Sequence, residues 1–434
     1  MKYVSTRSRG APPVSISAAI RAGQAPDGGL YRPERLPVFD TRGIDPDLEL
    51  ADLAAVMLAP FFEGDPLAKS LPGLCREAYA VPTPLVAPDP KHPGLLALEL
   101  FHGPTGAFKD FGARFLMGAL ERTGGEPLTV LTATSGDTGG AVGCAAEGRR
   151  NVRAAILYPE GRVSAFQEHQ LTCWGEPVEA LRVTGDFDAC QALVKAAFSD
   201  PEMSRRHRLT SANSINMARL LPQTVYLASA AMKAFARTGE APGLILPTGN
   251  LGHGVAALYA RSMGFPIGPV VLATNANPAL SRWAETGRYE PAPSVATIAN
   301  AMDVGAPSNF ERLTALSPSE KGVSVHKVDD DAIRARITAD FEASGYVWCP
   351  HSATAAEAYA RLPREARDRR TWIAAATAHP FKFADVVEPL IGRTVEPTEP
   401  LAAVLGRPAK AAPMRPDLAA LDRALTRKEP AGVS

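Results

Sequence analysis

Short apolar runs that alternate with helical patterns most constrain how this chain can fold. The segment 186–198 carries apolar residues at helical spacing. Strands alternating with helices favour parallel sheets covered by helices on both faces, with ligands bound in loops at the carboxyl ends of the strands. The β-prone runs cover residues 128–133, 153–158, 178–183, 244–246, 270–273 and 372–376.

The length of the chain predicts two or three domains. It has 434 residues, and domains average roughly 150. The first ninety residues are rich in Pro and Gly, and we predict helices there near 15–22 and 48–60. After Ile391 the sequence becomes rich in Pro, Ala and Arg. We expect a loosely packed tail there, with a short helix near 418–425.

Composition argues against several classes of function. Lys plus Arg and Asp plus Glu are both 46, and this zero net charge argues against nucleic acid as the main partner. The five cysteines show no C-x-x-C spacing, which fits a reducing cytosol and neither a disulfide framework nor a zinc cage. No close histidine pair, secretory signal or long apolar run is visible. We expect a cytoplasmic protein without a metal or membrane association.

The run F-H-G-P-T-G-A-F-K-D at 101–110 contains a candidate reactive lysine. We predict a helix with Thr105 as N-cap and Lys109 in its first turn. A cation there opposes the helix dipole, at a cost of ~0.3–1 kcal/mol. The pKa of Lys109 should therefore fall and make a neutral amine available. The alternative is a solvated lysine that pairs with Asp110.

Two turns between a strand and a helix are candidate anion sites. In T-A-T-S-G-D-T-G-G at 132–140, hydroxyl and backbone N–H groups could form a nest. Asp137 would repel an anion there unless it is used for another contact. The run L-P-T-G-N-L-G-H-G at 246–254 has glycines that allow a close approach to a phosphate, but it matches neither a dinucleotide fingerprint nor a P-loop. For both turns, an ordinary structural turn is the alternative.

Two further runs carry polar groups. Ser214, Asn216 and Arg219 offer donors within six residues, and arginine suits phosphate or carboxylate. The alternative is a helix start with a surface arginine. In A-A-A-T-A-H-P-F-K-F at 374–383, Thr377 and His379 follow a predicted strand and could face a site. A lone histidine is more often structural.

A reactive lysine, a phosphate loop and a second anion site together suit pyridoxal phosphate. The chain resembles the threonine synthase family, in the longer bacterial and fungal branch of the fold-type II pyridoxal-phosphate enzymes. The matching runs keep one order over nearly the whole chain. They are A-P-D-G-G-L-Y at 25–31, F-H-G-P-T-G-A-F-K-D at 101–110, A-T-S-G-D-T-G at 133–139, N-S-I-N-M-A-R-L-L-P-Q at 213–223, P-T-G-N-L-G-H-G at 247–254, A-T-N-A-N at 273–277, A-M-D-V-G-A-P-S-N-F-E-R at 301–312 and A-T-A-H-P-F-K-F at 376–383.

The resemblance implies two doubly wound parallel-sheet domains plus an N-terminal domain. Residues 1–95 would form the N-terminal domain. Residues 96–230 would form a smaller α/β domain that carries the Schiff-base lysine and the substrate loops. Residues 231–434 would form a large cofactor-binding α/β domain with the C-terminal tail. The implied protein is a monomer or homodimer.

The resemblance also implies a role for each candidate residue. Lys109 would be the Schiff-base lysine, Thr377 would contact the pyridine nitrogen, and Asp137 would lie near the ring's 3-oxygen. The phosphate of the cofactor would be bound by Thr248, Gly249, Asn250, Leu251, Gly252 and His253. The substrate would be bound by Ser135, Gly136, Thr138, Ser214, Asn216 and Arg219. Of these, Ser214, Asn216 and Arg219 would bind its phosphate.

The implied reaction converts O-phospho-L-homoserine and water to L-threonine and phosphate. The chain departs from the family pattern at Gly106, Met217 and Cys349, which affects local packing and selectivity more than the type of reaction. The rivals are another fold-type II enzyme, such as a serine/threonine dehydratase or a β-replacing synthase, a cofactor-binding regulator, and a phosphosugar- or nucleotide-binding module.

Overall fold

Helices and strands alternate along the chain in a computed structural model that describes residues 1–7, 10–134, 136–317 and 322–426. The strands are β1 (Tyr3–Ser5), β2 (Tyr31–Pro33), β3 (Leu85–Val86), β4 (Leu95–Glu99), β5 (Leu128–Ala133), β6 (Val152–Pro159), β7 (Val178–Val183), β8 (Leu209–Ser211), β9 (Gly243–Pro247), β10 (Val270–Thr274), β11 (Val323–Lys327), β12 (Trp372–Ala376) and β13 (Ala412–Met414). In this part of the chain no helix is long and apolar enough to cross a membrane.

The helices vary from one turn to six. They are α1 (Ile16–Ala22), α2 (Leu50–Leu58), α3 (Leu71–Ala78), α4 (Lys109–Arg122), α5 (Asp137–Ala146), α6 (Ala165–Thr172), α7 (Phe187–Ser199), α8 (Pro201–Arg206), α9 (Met217–Thr238), α10 (Gly252–Ser262), α11 (Ala279–Thr286), α12 (Phe310–Thr314), α13 (Asp330–Ser344), α14 (Pro350–Ala360), α15 (Arg364–Asp368), α16 (Ala384–Ile391), α17 (Glu399–Leu405) and α18 (Leu418–Thr426). A 3₁₀ helix at Pro380–Phe383 precedes α16.

Two largely parallel sheets organise the molecule. The larger has the order β11-β10-β9-β12-β4-β3, and only its edge pair β3–β4 is antiparallel. The smaller has the order β13-β7-β6-β5-β8 and is parallel throughout. Strands such as β9 and β12 are buried along their whole length, as parallel strands with both faces covered must be. The predicted α/β class is confirmed, and β1 and β2 form a separate antiparallel pair.

The order of the sheets places the chemistry. β4 and β12 are neighbours in the larger sheet, so the segments that leave their carboxyl ends start side by side. β9 lies on the other side of β12, so the glycine-rich turn after β9 begins at the same edge. Loops that meet at such an edge form the ligand sites of open parallel sheets.

Each of the two large sheets contains strands from more than one of the three predicted domains. β4, at Leu95–Glu99, joins the larger sheet with strands from beyond residue 231, whereas β13, near the end of the chain, joins the smaller sheet. The division into 1–95, 96–230 and 231–434 therefore stays a prediction.

The prediction of a loosely packed tail after Ile391 is wrong. Within the described residues, β13 extends the smaller sheet beside β7, and Leu421 and Leu425 of α18 are buried. Leu401 of α17 is also buried. Apolar residues spaced for one helix face explain the packing, whereas composition alone had suggested a solvated segment.

Candidate active site

Main-chain hydrogen bonds join the segments that follow β4 and β12. The Phe108 N–H donates to the Thr377 carbonyl over 2.9 Å, and the His379 N–H donates to the Gly106 carbonyl over 2.9 Å. This pairing fixes the start of α4 against the end of β12. It therefore brings Lys109 and Thr377, which are far apart in sequence, to one edge of the sheet.

Lys109 is the first residue of α4, as predicted, but Thr105 is not the N-cap. Phe108 occupies that position and provides no capping side chain. Thr105 and Asp110 bind each other instead: the Thr105 hydroxyl and N–H donate to the Asp110 carboxylate over 2.6 Å and 3.1 Å. Asp110 is thereby engaged, so the alternative of a solvated Lys109–Asp110 pair is wrong.

The pKa of Lys109 is lowered. Burial is the main cause, since its side chain is only 17% exposed, and the charges of Arg219 and Lys382 act in the same direction. Asp137, with Oδ2 3.9 Å from Nζ, opposes the shift. A lysine with a lowered pKa provides the neutral amine that attack on a carbonyl requires.

The turn between β5 and α5 presents Gly136, Asp137 and Thr138 at the start of α5. The Thr134 hydroxyl organises the turn by accepting from the N–H groups of Gly136 and Gly139, both over 3.1 Å. Gly136 has φ +157°, and a Cβ there would lie 2.7 Å from the Gln167 amide nitrogen. Ser135, predicted to contact the substrate, lies outside the described residues.

Asp137 is buried beside two lysines. Burial by itself would raise the pKa of its carboxyl, but Lys382, Lys109 and His351 lower it to about 2. Asp137 is therefore ionised at neutral pH. The concern that this carboxylate would repel an anion is answered by another contact, because Lys382 Nζ lies 3.1 Å from Oδ1.

Lys382 is a candidate functional residue that the sequence prediction missed. Its side chain is fully buried, and its ammonium group also donates to the Thr105 carbonyl over 2.6 Å and to Gln170 Oε1 over 2.5 Å. The A-T-A-H-P-F-K-F run contained it, but the prediction considered only Thr377 and His379. A lysine between two phenylalanines, Phe381 and Phe383, was the available signal.

The turn between β9 and α10 is shaped for close approach. A Cβ on Gly249 would lie 2.7 Å from the Met302 Cα, so only glycine fits there. Leu251 has φ +63°, a left-handed conformation that non-glycine residues seldom adopt. The turn ends where α10 begins at Gly252, which leaves the first backbone N–H groups of an 11-residue helix as donors for an anion.

His253 packs between aromatic rings and does not bind a neighbour through its nitrogens. Both ring nitrogens lack a hydrogen-bond partner in the described part of the chain, and burial lowers the pKa to about 3. Its ring stacks on Phe108 with centroids 5.0 Å apart and meets Tyr226 edge to face. The side chain is therefore neutral, and the backbone N–H of His253 at the start of α10 is a candidate phosphate donor.

Arg219 is a buried cation without a carboxylate partner. It is 4% exposed, and no ion pair in the described residues includes it. It donates to the Ala212 carbonyl, whereas Nε has no partner. Burial lowers its pKa to about 10, so it stays charged at neutral pH. An unpaired buried guanidinium is costly, and a bound anion would offset that cost.

Ser214 lies beside the glycine-rich turn, as Asn250 Nδ2 donates to its hydroxyl over 2.6 Å. The phosphate role predicted for Asn216 is not supported. Asn216 caps α9 by accepting from the Ala218 N–H, and its amide donates to the carbonyls of Ile20 and Ser211. Its side chain therefore has no group left for a ligand. The sequence could not show this, because a capping asparagine and a ligand asparagine look alike in sequence.

Thr377 is held at the end of β12 by its main chain. Its N–H donates to Ser352 Oγ over 3.0 Å, and its carbonyl accepts from Phe108. Cys349 is one of the three departures from the family pattern. It caps α14 through Sγ, which accepts from the Ser352 N–H over 3.4 Å. This departure therefore affects helix capping and leaves the position of Thr377 intact.

The residues fit a phosphorylated pyridine aldehyde. Lys109 offers an amine, the start of α10 offers N–H donors for a phosphate, and Thr377 stands at the end of the intervening strand. Arg219 is a separate candidate anion site. In the described ranges, no group of His, Cys, Asp and Glu side chains could hold a metal ion.

Family profiles match the chain along its length. The profile described as "Pyridoxal-phosphate dependent enzyme" matches residues 77–377. "Threonine synthase N terminus" matches residues 2–79, and "Threonine synthase, C-terminal" matches residues 352–425. The three matches cover the N-terminal region, both sheets and the segment with β13.

Known proteins give the same result. The chain is 38% identical to threonine synthase from Escherichia coli over 94% of this chain and 95% of that protein. A crystal structure of pyridoxal-phosphate-bound threonine synthase from Brucella melitensis superposes with a TM-score of 0.90 at 35% identity and covers 98% of each chain. Maize serine racemase, at 17% identity, TM-score 0.51, and 76% and 93% coverage of the two chains, shares the fold alone.

Proposed function

The chain belongs to the threonine synthase family of pyridoxal-phosphate-dependent enzymes, and we propose that the residues around Lys109 form its active site. Its reaction converts O-phospho-L-homoserine and water to L-threonine and phosphate. The juxtaposition of a buried, low-pKa Lys109 with the unpaired Arg219 is the observation that supports this assignment.

Lys109 would bind the cofactor's aldehyde carbon through Nζ and then carry protons at the substrate's Cα. Its lowered pKa suits both tasks, because the free amine is a nucleophile and a base. Bound pyridoxal phosphate supplies an electron sink for the charge that forms when substrate C–H bonds break. The burial of Lys109 limits its contact with bulk water.

The cofactor would be held from two sides. Thr248 and the backbone of Gly249, Asn250, Leu251, Gly252 and His253 would bind its phosphate at the start of α10. The Thr377 hydroxyl would donate a hydrogen bond to the pyridine nitrogen. A neutral hydroxyl there leaves that nitrogen largely unprotonated.

The substrate would be held at both of its ends. Gly136, Thr138 and the predicted contact Ser135 would bind the amino-acid end through the turn before α5. Arg219 and Ser214 would bind the phosphate that leaves from Cγ. Donors already in place at a leaving group stabilise its developing charge without reorganisation.

The test combines spectroscopy with product analysis. The purified protein is scanned in the visible range, O-phospho-L-homoserine is added, and phosphate and threonine are assayed together. Borohydride reduction followed by peptide mass spectrometry should locate the cofactor on Lys109. K109A should lose the fixed cofactor and the activity, whereas K195A, at an exposed position of α7, should keep both.

Two outcomes would contradict the proposal. Fixation of the cofactor on a lysine other than Lys109 would remove the active-site assignment. Release of a keto acid and ammonia without phosphate would favour a dehydratase-like use of the same residues.

We further propose that the enzyme works in the cytoplasm as a monomer or homodimer. The free state of all five cysteines supports a reducing compartment. Cell fractionation and size-exclusion chromatography with light scattering test the two statements, and an oxidising compartment or a higher oligomer would overturn them.

A further inference from the structure

A carboxylate at the start of α5 is an unusual neighbour for the proposed ligands. Asp137 is 8% exposed and approaches the Lys109 amine to 3.9 Å, at the position where the cofactor is proposed to bind. The cofactor's phenolic oxygen and the substrate's carboxylate are both anionic. An isolated carboxylate beside them would oppose binding, because like charges repel strongly where water is excluded.

Lys109 cannot serve as the lasting counter-ion of Asp137. Its amine must be neutral to attack an aldehyde carbon, and it then carries protons during the reaction. Its charge is therefore withdrawn during the reaction. A second cation is required if Asp137 is to remain ionised and compensated.

Lys382 has the geometry of that second cation. It comes from the 3₁₀ helix after β12 and reaches elements that follow β4, β5 and β6. Its three partners are the Thr105 carbonyl, Gln170 Oε1 and Asp137 Oδ1, at 2.6 Å, 2.5 Å and 3.1 Å. Its ammonium group donates hydrogen bonds to the Thr105 carbonyl and to Gln170 Oε1, and its contact with Asp137 Oδ1 is an ion pair.

The two lysines therefore differ in what they can do. Lys109 is 17% exposed and has Asp137 only at the outer limit of an ion pair, whereas the Lys382 side chain is 0% exposed and lies against three oxygen atoms, the nearer carboxylate oxygen of Asp137 among them. We propose that Lys382 is a positioning residue, whose fixed charge neutralises Asp137 so that this carboxylate can stand beside the anionic groups of the bound cofactor and substrate. This inference rests on the proposed cofactor position at Lys109.

Other charges near the pair define what a pH titration would report. Asp137 is faced by Lys382, Lys109 and His351, which come from three different segments. His351 is held neutral, since burial lowers its pKa to about 4 and its Nε2 accepts from the Ala301 N–H. Asp110 and His379 are the further titratable groups around Lys382. With Lys382 removed, Asp137 becomes the group whose protonation should control binding.

The experiment measures the affinity of the apoprotein for pyridoxal phosphate by absorbance titration at pH 8 and pH 6. The variants are K382M, D137N and the double variant, with K195M as an exposed control. K382M should weaken binding at least tenfold at pH 8 and less at pH 6, where Asp137 can take up a proton. The same Lys382 substitution made in the D137N background should change the affinity less than threefold at either pH.

Loss of folding is separated from loss of charge compensation by K382R and by thermal unfolding of each apoprotein. K382R keeps the charge and should bind the cofactor at least three times more tightly than K382M. Equal losses in K382R and K382M would overturn the proposal, as would a tenfold loss that D137N does not suppress. If K382M is unstable, two other variants carry the test. The double variant lacks the carboxylate at position 137, and K382R retains the cation at position 382.

The wild-type protein separates this inference from the proposed active site. If borohydride fixes the cofactor away from Lys109, the proposed function fails whatever Lys382 does. If the cofactor is fixed on Lys109 and K382M binds it as the wild type does, only the role of Lys382 fails.

Discussion

At the scale of single residues, the candidate site is defined by buried charges. Arg219 has no carboxylate partner in the described chain, and Asp137 lies between two lysines. Burial of such groups costs free energy that hydrophobic packing elsewhere must offset. A bound ligand would offset this cost. Arg219 and Asp137 each lead to a separate prediction.

Replacing Arg219 with methionine should weaken use of the substrate and leave the cofactor bound. Loss of one charged partner of a buried anion typically costs about 2–5 kcal/mol, which predicts a fall in kcat/KM of roughly 30-fold or more. Steady-state kinetics with O-phospho-L-homoserine and the visible spectrum measure the two effects. R237M, at an exposed position of the same helix, is the control. A value of kcat/KM within threefold of wild type would rule out the phosphate role.

Asp137 should make the stability of the apoprotein depend on acid. Its pKa is about 2 in the folded protein and near the ordinary aspartate value of 3.8 in the unfolded chain, so its stabilising contribution is present above about pH 4 and is lost as the pH falls towards 2. Urea unfolding at stepped pH values should therefore show a steeper loss for wild type than for D137N in that window. Parallel slopes would mean that Asp137 is not held ionised by its neighbours.

At the scale of elements, the turns after strands determine what can bind. Gly249 lies against the Met302 backbone, and α10 begins three residues later. A side chain at Gly249 would displace the turn and with it the first N–H groups of the helix. The function of this element therefore depends on a residue that contributes no side chain.

Gly249→Ala should lower the affinity for pyridoxal phosphate at least tenfold, because the added Cβ would lie 2.7 Å from the Met302 Cα. Absorbance titration of the apoprotein measures this effect. Gly73→Ala is the matched change in α3, where no atom lies within 4 Å of the added carbon. It should leave the affinity unchanged and raise the free energy of unfolding by about 0.5–1 kcal/mol. Unchanged affinity in G249A would contradict the proposed phosphate turn.

The sequence predicts the buried strands well, and the reason is physical. β5, β7 and β12 have the predicted bounds, because each is a run of mainly apolar or β-branched residues between turn signals. The three-residue strands β8 and β13 were not predicted, since their pairing is decided by neighbours far along the chain. The helix α3 was also missed.

The same distinction applies to the site. Lys109 and Thr377 could be singled out because each stands at a recognisable turn. Asn216 was misinterpreted, since only the structure shows that its amide already binds α9 and the Ile20 carbonyl. Lys382 was missed because Thr105 and Gln170 lie 277 and 212 residues away, and no local pattern reports such contacts.

At the scale of the whole molecule, the end of the chain completes the smaller sheet. β13 pairs with β7, and α18 packs its buried leucines against the same domain core. Residues near the C-terminus therefore contribute to the sheet whose turn carries Asp137. Substitutions of buried residues there should lower the free energy of unfolding, although these residues are remote from Lys109 in sequence.

Leu421→Ala should lower the free energy of unfolding by about 2–5 kcal/mol, because the side chain is fully buried and its removal leaves a cavity. Leu405→Ala is the control in α17, since Leu405 is 39% exposed and should cost little. Urea denaturation of the two variants tests the comparison. Equal stabilities would mean that the terminal helix is not part of the cooperative unit.

The pairing of β4 with β12 also has a consequence for the timing of synthesis. Phe108, which leads into Lys109, donates to the carbonyl of Thr377, so this contact of the lysine loop cannot form until the ribosome has made most of the chain. At about 5–20 residues per second, the roughly 270 residues between them take on the order of 15–50 seconds. A nascent chain that has not yet reached Thr377 therefore lacks one of the main-chain contacts that position Lys109.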